Sequence, residues 1–243
     1  METGKIGKYL TYAIGEILLV VIGILIALSI NNWNQNRLQL KQEYKVLLSL
    51  KADFIESQKR LSESMEMQKR VVEKSKTLLE MHEGKIPRSD TDSILDYITY
   101  GAYGWYRPEL LTGSYDAYLN TGNSGLLRND NLTKMLAEYF AIVRSGFEDQ
   151  DTSMYLLNNM HEISAPVNIY LALPKLKSRI GLDAVKSEKA DMAIDFLFTQ
   201  DAFFGNLYYR ATLEQLRYSI HEDLMSRIIQ ILDTLNEEID LHK

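Results

Sequence analysis

The sequence predicts an all-α protein: one N-terminal transmembrane helix, then an antiparallel bundle of four to five main helices. Three observations predict this. The run from Ile17 to Ile30, ILLVVIGILIALSI, carries no charge and has only Ser29 as a polar residue. Residues 34–83 contain neither proline nor glycine and repeat apolar residues at helical spacing. No stretch alternates apolar and polar residues between turn signals as a strand would.

The apolar run alone is too short to span. Fourteen helical residues rise about 21 Å, against about 30 Å of hydrocarbon. Extension upstream to Leu10 supplies the length and brings Glu16 into the segment. Tyr9 and Tyr12 at one end and Trp33 at the other stand where interfacial aromatics are expected. A cleaved signal peptide is the rival reading, but SINNWNQNR follows the run, with no small-x-small cleavage site. The expected organisation is a short cytoplasmic tail at 1–8, a membrane helix at 9–33 and an extramembrane domain at 34–243. Lys5 and Lys8 precede the span while Arg37, Lys41 and Lys45 follow it, so basic flanks decide little about orientation. A tail this short before a first span usually stays inside, and long following domains translocate regardless of charge. The expectation is N-terminus in, domain out.

The stretch from Lys8 to Asn34, KYLTYAIGEILLVVIGILIALSINNWN, resembles the N-terminal signature of a family of uncharacterised single-pass membrane proteins of Bacteroidota. Thr112–Leu127, TGSYDAYLNTGNSGLL, is similar to the middle portion of that family. The resemblance implies the inner membrane of a Gram-negative cell and a periplasmic helical domain. It implies no activity.

Beyond the membrane, Leu40, Leu47, Phe54 and Leu61 recur every seven residues, with Tyr44, Met65, Val72 and Leu79 between them. This predicts one long amphipathic helix that reaches about 75 Å from the membrane. Lys51, Gln58 and Gln68 interrupt the stripe, which favours packing on helices of the same chain over a strict coiled coil. Gly84 and Pro87 end it, and Asp90 starts a shorter helix to about Tyr100. Residues 101–125 are the least regular part. Asn129-Asp-Asn caps a helix predicted from Leu132 to Met160, with Leu136, Tyr139, Phe140 and Val143 on one face. Pro166 and Pro174 bracket VNIYLAL. Helices at 187–199 and 206–240 follow, the last with Leu213, Leu216, Ile220, Leu224, Ile228, Ile231 and Leu235 as its buried stripe.

Composition excludes several chemistries. The formal net charge is −6, all of it on residues 34–243, because Lys5 and Lys8 cancel Glu2 and Glu16. An acidic domain with no basic stripe argues against nucleic acid. The absence of cysteine removes disulfides, thiolate nucleophiles and Cys-ligated metals. His82, His161, His221 and His242 have no partner at metal spacing, and neither HExxH nor Glu-x-x-His occurs. No catalytic residue, metal site or cofactor is expected. His221-Glu222-Asp223 reads as a solvated helix face, since adjacent helical residues point apart. Gly122-Asn-Ser-Gly125 is not a nucleophile elbow. The sequon Asn131-Leu-Thr133 reads as chance or capping.

Two groups remain as candidate sites. Tyr97, Tyr100, Tyr103, Trp105, Tyr106, Tyr115 and Tyr118 crowd one region, and rings with polar tips suit a half-wet partner or ligand surface. The alternative is that they cap the bundle end through hydroxyl bonds to loop carbonyls. Glu16, Gly23 and Ala27 share one face of the membrane helix, with Gly23-x-x-x-Ala27 at the small-xxx-small spacing. A carboxylate there points to homo-oligomerisation, or to another membrane partner. The function these readings favour is a membrane-anchored, non-enzymatic interaction module that docks an envelope protein. The alternative is a small-molecule-sensing bundle that signals through a separate membrane partner.

Overall fold

The computed structural model describes residues 3–122, 125–145, 150–183 and 187–242, with side chains from Gly15 onward. Lys5, Lys8, Tyr9 and Tyr12 therefore lie outside the described side chains, and Asn123 and Ser124 outside the described residues. The chain is 83% helical, with no strand among the described residues, which makes it all-α as the sequence predicts.

One helix, α1 (Thr3–His82), runs from the apolar segment into the bundle core without a break. Eighty helical residues extend about 120 Å. Nothing in its sequence from Ile24 to Glu83 interrupts the backbone ladder, since proline and glycine are absent. It stops in a Schellman motif. Gly84 takes φ +72°, Lys85 N donates to Glu80 O at 2.9 Å, and Gly84 N donates to Met81 O at 3.2 Å. The large apolar side chains from Ile17 to Ile30 are 44–71% exposed, so no other element covers them. Among the described residues this is one helix long and apolar enough to cross a membrane.

After α1 come α2 (Thr91–Tyr97) and a π-helical turn (Ile98–Ala102). Next are α3 (Gly113–Asn120), α4 (Asp130–Ser145) and α5 (Gln150–Ser164). Two short helices, α6 (Asn168–Leu171) and α7 (Pro174–Ser178), precede α8 (Ser187–Phe198) and α9 (Asp201–Leu241). Asp90 caps α2 by accepting from Ser93 N at 3.0 Å, where the sequence places its start. The single helix predicted over 132–160 is two helices, α4 and α5. Ser145, a weak helix former, ends α4, and the two helices serve different core clusters.

The long helices α1 and α9 run antiparallel. His82 faces Asp201 at one end, at 3.4 Å, and Glu43 faces His242 at the other, at 3.7 Å. On α1 the buried positions are Leu47, Leu50, Phe54, Ser57, Leu61, Ser64, Gln68, Val71, Ser75 and Leu78. On α9 they are Leu207, Arg210, Glu214, Arg217, His221, Leu224, Ile228, Ile231 and Leu235. Both sets alternate strides of three and four, the pattern that keeps two helices facing each other. The partner of α1 is thus a helix of its own chain.

Two apolar clusters lie along this pair. The proximal one, nearer the apolar segment, joins Leu47–Leu61 and Leu224–Ile239 to α3 and α4, with Phe54, Tyr139 and Phe140 at its centre. The distal one joins Leu78 and Met81 to α2, the π turn, α5, α8 and the start of α9. Fully burying a leucine such as Leu50 contributes about 1.5–3 kcal/mol. Between the clusters the interior is polar, which corrects the predicted stripe. Leu216 is 59% exposed and Ile220 41%, while Arg210, Glu214, Arg217 and His221 turn inward. His221 is 2% exposed, not solvated, although Glu222 and Asp223 beside it do face solvent.

Candidate functional site

The polar layer is built from one face of α9 and one residue pattern of α1. Arg210, Glu214, Arg217 and His221 are spaced four, three and four apart, so a single helix presents all four to the interior. Gln68 meets them from α1. Its Nε2 donates to Glu214 Oε2 at 3.0 Å, and its Oε1 lies 2.9 Å from His221 Nδ1. An amide oxygen only accepts, so His221 donates from Nδ1. Arg217 Nη1 donates to Glu214 Oε1 at 2.9 Å, and Nη2 donates to Ser153 Oγ of α5 at 3.2 Å. The Trp105 ring lies 4.9 Å from the Arg217 guanidinium, a cation–π contact.

Arg210 holds the π turn. Its guanidinium donates to the carbonyls of Gly101 at 3.2 Å, Ala102 at 2.5 Å and Gly104. The turn presses so closely on α1 that a Cβ on Gly101 would meet Lys74 Cβ at 2.7 Å. Carbonyls that leave the α-helical pattern at the turn are thus satisfied by a buried cation. Burial lowers the pKa of Arg210 despite Glu214 beside it, and its Nε has no hydrogen-bond partner. A buried ion group of this kind costs desolvation, and its best-attested use is to fix register. Its one hydroxyl among the described contacts, Ser153 Oγ, accepts from Arg217.

The seven aromatic residues do not form one surface. Tyr115 and Tyr118 belong to the proximal core, with Tyr115 stacked on Phe140 at 4.1 Å. Tyr97 and Tyr100 flank the Lys74 ammonium at 5.9 and 5.3 Å. Tyr103 stacks on His161 at 4.2 Å, and its hydroxyl pairs with the Ser164 hydroxyl, not with a loop carbonyl. Burial pushes the Tyr103 phenol up to about 12, and burial together with Arg210 lowers His161. Tyr106 lines an open recess of about 460 Å³ with Arg60, Glu63, Ser64, Met67 and Arg107, and Tyr118 edges another, of about 310 Å³, with Lys45, Val46 and Ser114. Ser64 Oγ is buried in the first without a hydrogen-bond partner. Among the described residues no three His, Asp or Glu side chains converge to hold a metal.

Glu16, Gly23 and Ala27 lie on the uncovered part of α1, and Gly23 has open space where a Cβ would stand. The reading of the sequence missed Gln68, Ser153, Arg210, Glu214 and Arg217 as a group. The signal was present: continuing the 3–4 stride back from Leu235, Ile231, Ile228 and Leu224 passes through His221, Arg217, Glu214 and Arg210.

No curated protein and no solved structure matches the chain. Residues 16–147, from Glu16 in the apolar helix to just past α4, match the family of unknown function DUF6090, and the chain belongs to that family.

Proposed function

We propose that the protein is a membrane-tethered, non-enzymatic docking module, in which α1 anchors a helical bundle that receives another envelope protein. The observation that carries this reading is the division of α9 into two faces. The inward 3–4 stripe is committed to α1, and beside it Tyr209, Leu213, Leu216 and Ile220 form a second stripe at the same strides. Tyr209, Leu216 and Ile220 are 52, 59 and 41% exposed. Apolar residues repeating at i, i+4, i+7 and i+11 are what an amphipathic helix of a partner recognises. The uncovered apolar segment of the same chain supports the tether. The location proposed is a bacterial inner membrane, with the N-terminus cytoplasmic and the bundle periplasmic.

Photo-crosslinkers placed at Leu216 and Ile220 in intact membranes test the docking face. A heterologous adduct that disappears with Leu216→Glu supports it, and recovery of self-adducts alone counts against it. A C-terminal reporter active only in the cytoplasm tests orientation, and activity there overturns the periplasmic placement. A second reading, small-molecule sensing through a separate signalling partner, draws support from the recess at Tyr106 with its unpartnered Ser64 hydroxyl. Thermal stabilisation by a metabolite that Tyr106→Ala abolishes would favour it.

A further inference from the structure

We propose that Arg37, Lys41 and Arg128 form a cationic collar that binds lipid phosphates and seats the base of the bundle on the bilayer surface. The inference rests on the membrane-tether reading of α1. Its starting point is a long contact made at the base. Arg128, in the chain between α3 and α4, donates from Nη2 to Asn36 Oδ1 at 2.5 Å. Asn36 is three residues past Trp33, a rise of about 5 Å. With Trp33 at the membrane interface, that is within the headgroup layer, about 5–8 Å thick on each side of the hydrocarbon. The bundle therefore reaches down to the headgroups through Arg128, although α1 first becomes buried only at Glu43.

Charge is ordered by height. Arg37 lies about 6 Å past Trp33 and stacks over its ring at 5.5 Å. Lys41 is about 12 Å past it, and its flexible stem lets the ammonium reach back toward the phosphates. From Trp33 to Gln42 α1 carries no acidic residue. Glu43 and the carboxylates of α9 stand higher. Glu43 is buried and already engaged, since it accepts Arg128 N at 2.8 Å and faces Arg128 Nε at 3.4 Å and His242 at 3.7 Å. Because α9 descends to His242 at the level of Glu43, Glu237, Glu238 and Asp240 lie farther from the membrane than Glu43 does. Glu238 is also held by Asn129, at 2.7 Å. Asp130, exposed at the start of α4 two residues past Arg128, brings one negative charge against Arg37, Lys41 and Arg128, and the base keeps a net positive charge although the domain as a whole is acidic. Arg128 is half-exposed, and a guanidinium with five N–H groups keeps donors for a phosphate after meeting Asn36 and Glu43.

The chain has no cysteine, so single labels are clean. The test uses the full chain in nanodiscs of phosphatidylcholine with phosphatidylglycerol. A fluorophore goes on Gly125→Cys, in the basal loop, or on Ile22→Cys, in the apolar run. Lipids carrying a nitroxide on the headgroup or on the acyl chain quench each in turn. The collar predicts headgroup quenching at position 125 that falls at least two-fold with Arg37→Gln/Lys41→Gln, two exposed helix positions, and falls again with Arg128→Gln. Arg128→Lys restores part of it if charge is what matters, and 0.5 M salt weakens it. No quenching at 125, or quenching unchanged in the variants while Ile22 is quenched by the acyl chain, overturns the collar and leaves the tether standing. Loss of acyl-chain quenching at Ile22 overturns the tether, and the collar with it.

Discussion

Gln68 and His221, 153 residues apart in sequence, meet inside the bundle with the amide Oε1 2.9 Å from the ring Nδ1. This contact and the bond from Gln68 to Glu214 tie the last third of α1 to the middle of α9. A slip of one heptad would part Gln68 from at least one of its two partners, and each buried polar group left without a partner costs about 1–3 kcal/mol. The polar layer therefore selects one alignment from those that two 3–4 stripes allow.

Gln68→Leu removes a partner from both Glu214 and His221 and should lower the unfolding free energy of the bundle by about 2–4 kcal/mol. Gln68→Ala and His221→Ala should couple in a double-mutant cycle by about 0.5–3 kcal/mol. Urea titrations of the four species measure this. Additive effects would mean that the two side chains do not hold each other.

Leu224 and Leu216 separate the inward stripe of α9 from its outer face. Leu224→Ala, at 3% exposure, should cost about 2–5 kcal/mol. Leu216→Ser should change stability by no more than about 0.5 kcal/mol, because its side chain already faces solvent. Thermal or urea unfolding of both variants is the check, and equal losses would restore the stripe expected from the sequence.

Tyr103 and His161 give the stacked pair a defined pH window. The folded pKa of His161 is lowered below the ordinary 6.5, so its contribution is complete above 6.5 and is lost as the pH falls through the lowered value. Tyr103 is raised from 10 to about 12, so its contribution is complete below 10 and is lost as the pH rises through about 12. Melting temperature against pH should fall on both sides of this range. Tyr103→Phe should lessen the alkaline fall, to which the buried Tyr139 phenol, also raised by burial, contributes, and His161→Phe should lessen the acidic one.

Glu16 and Gly23 should govern association of the apolar helix. Their face has no cover within the chain, and a membrane carboxylate commonly turns toward protein. Crosslinking in membranes should give an oligomer ladder that Glu16→Leu and Gly23→Leu shorten. A ladder unchanged in both variants would mean that no such seam exists.

Elements whose cause is local can be read from the residues alone. Uniform apolarity from Ile17 to Ile30, the absence of helix breakers to Glu83, Gly84 at a left-handed turn and Asp90 as a cap each act within a few residues. They made α1 and the start of α2 legible. So did the stride of Leu224, Ile228, Ile231 and Leu235, where apolar residues and inward positions coincide. Which face of α9 turns inward before Leu224 depends on packing between distant segments. There the apolar residues Leu213, Leu216 and Ile220 and the 3–4 stride point to different faces, and the stride wins. The reason is that an unbroken helix already committed to α1 through four apolar layers cannot rotate to bury a different face in its next turns. The polar side chains it carries inward are held because Gln68, Ser153, the carbonyls of Gly101, Ala102 and Gly104, and the Trp105 ring come from distant segments to meet them. The aromatic residues near position 100 were dispersed for the same reason: closeness in sequence put them in one region, and packing sent each ring to a different neighbour.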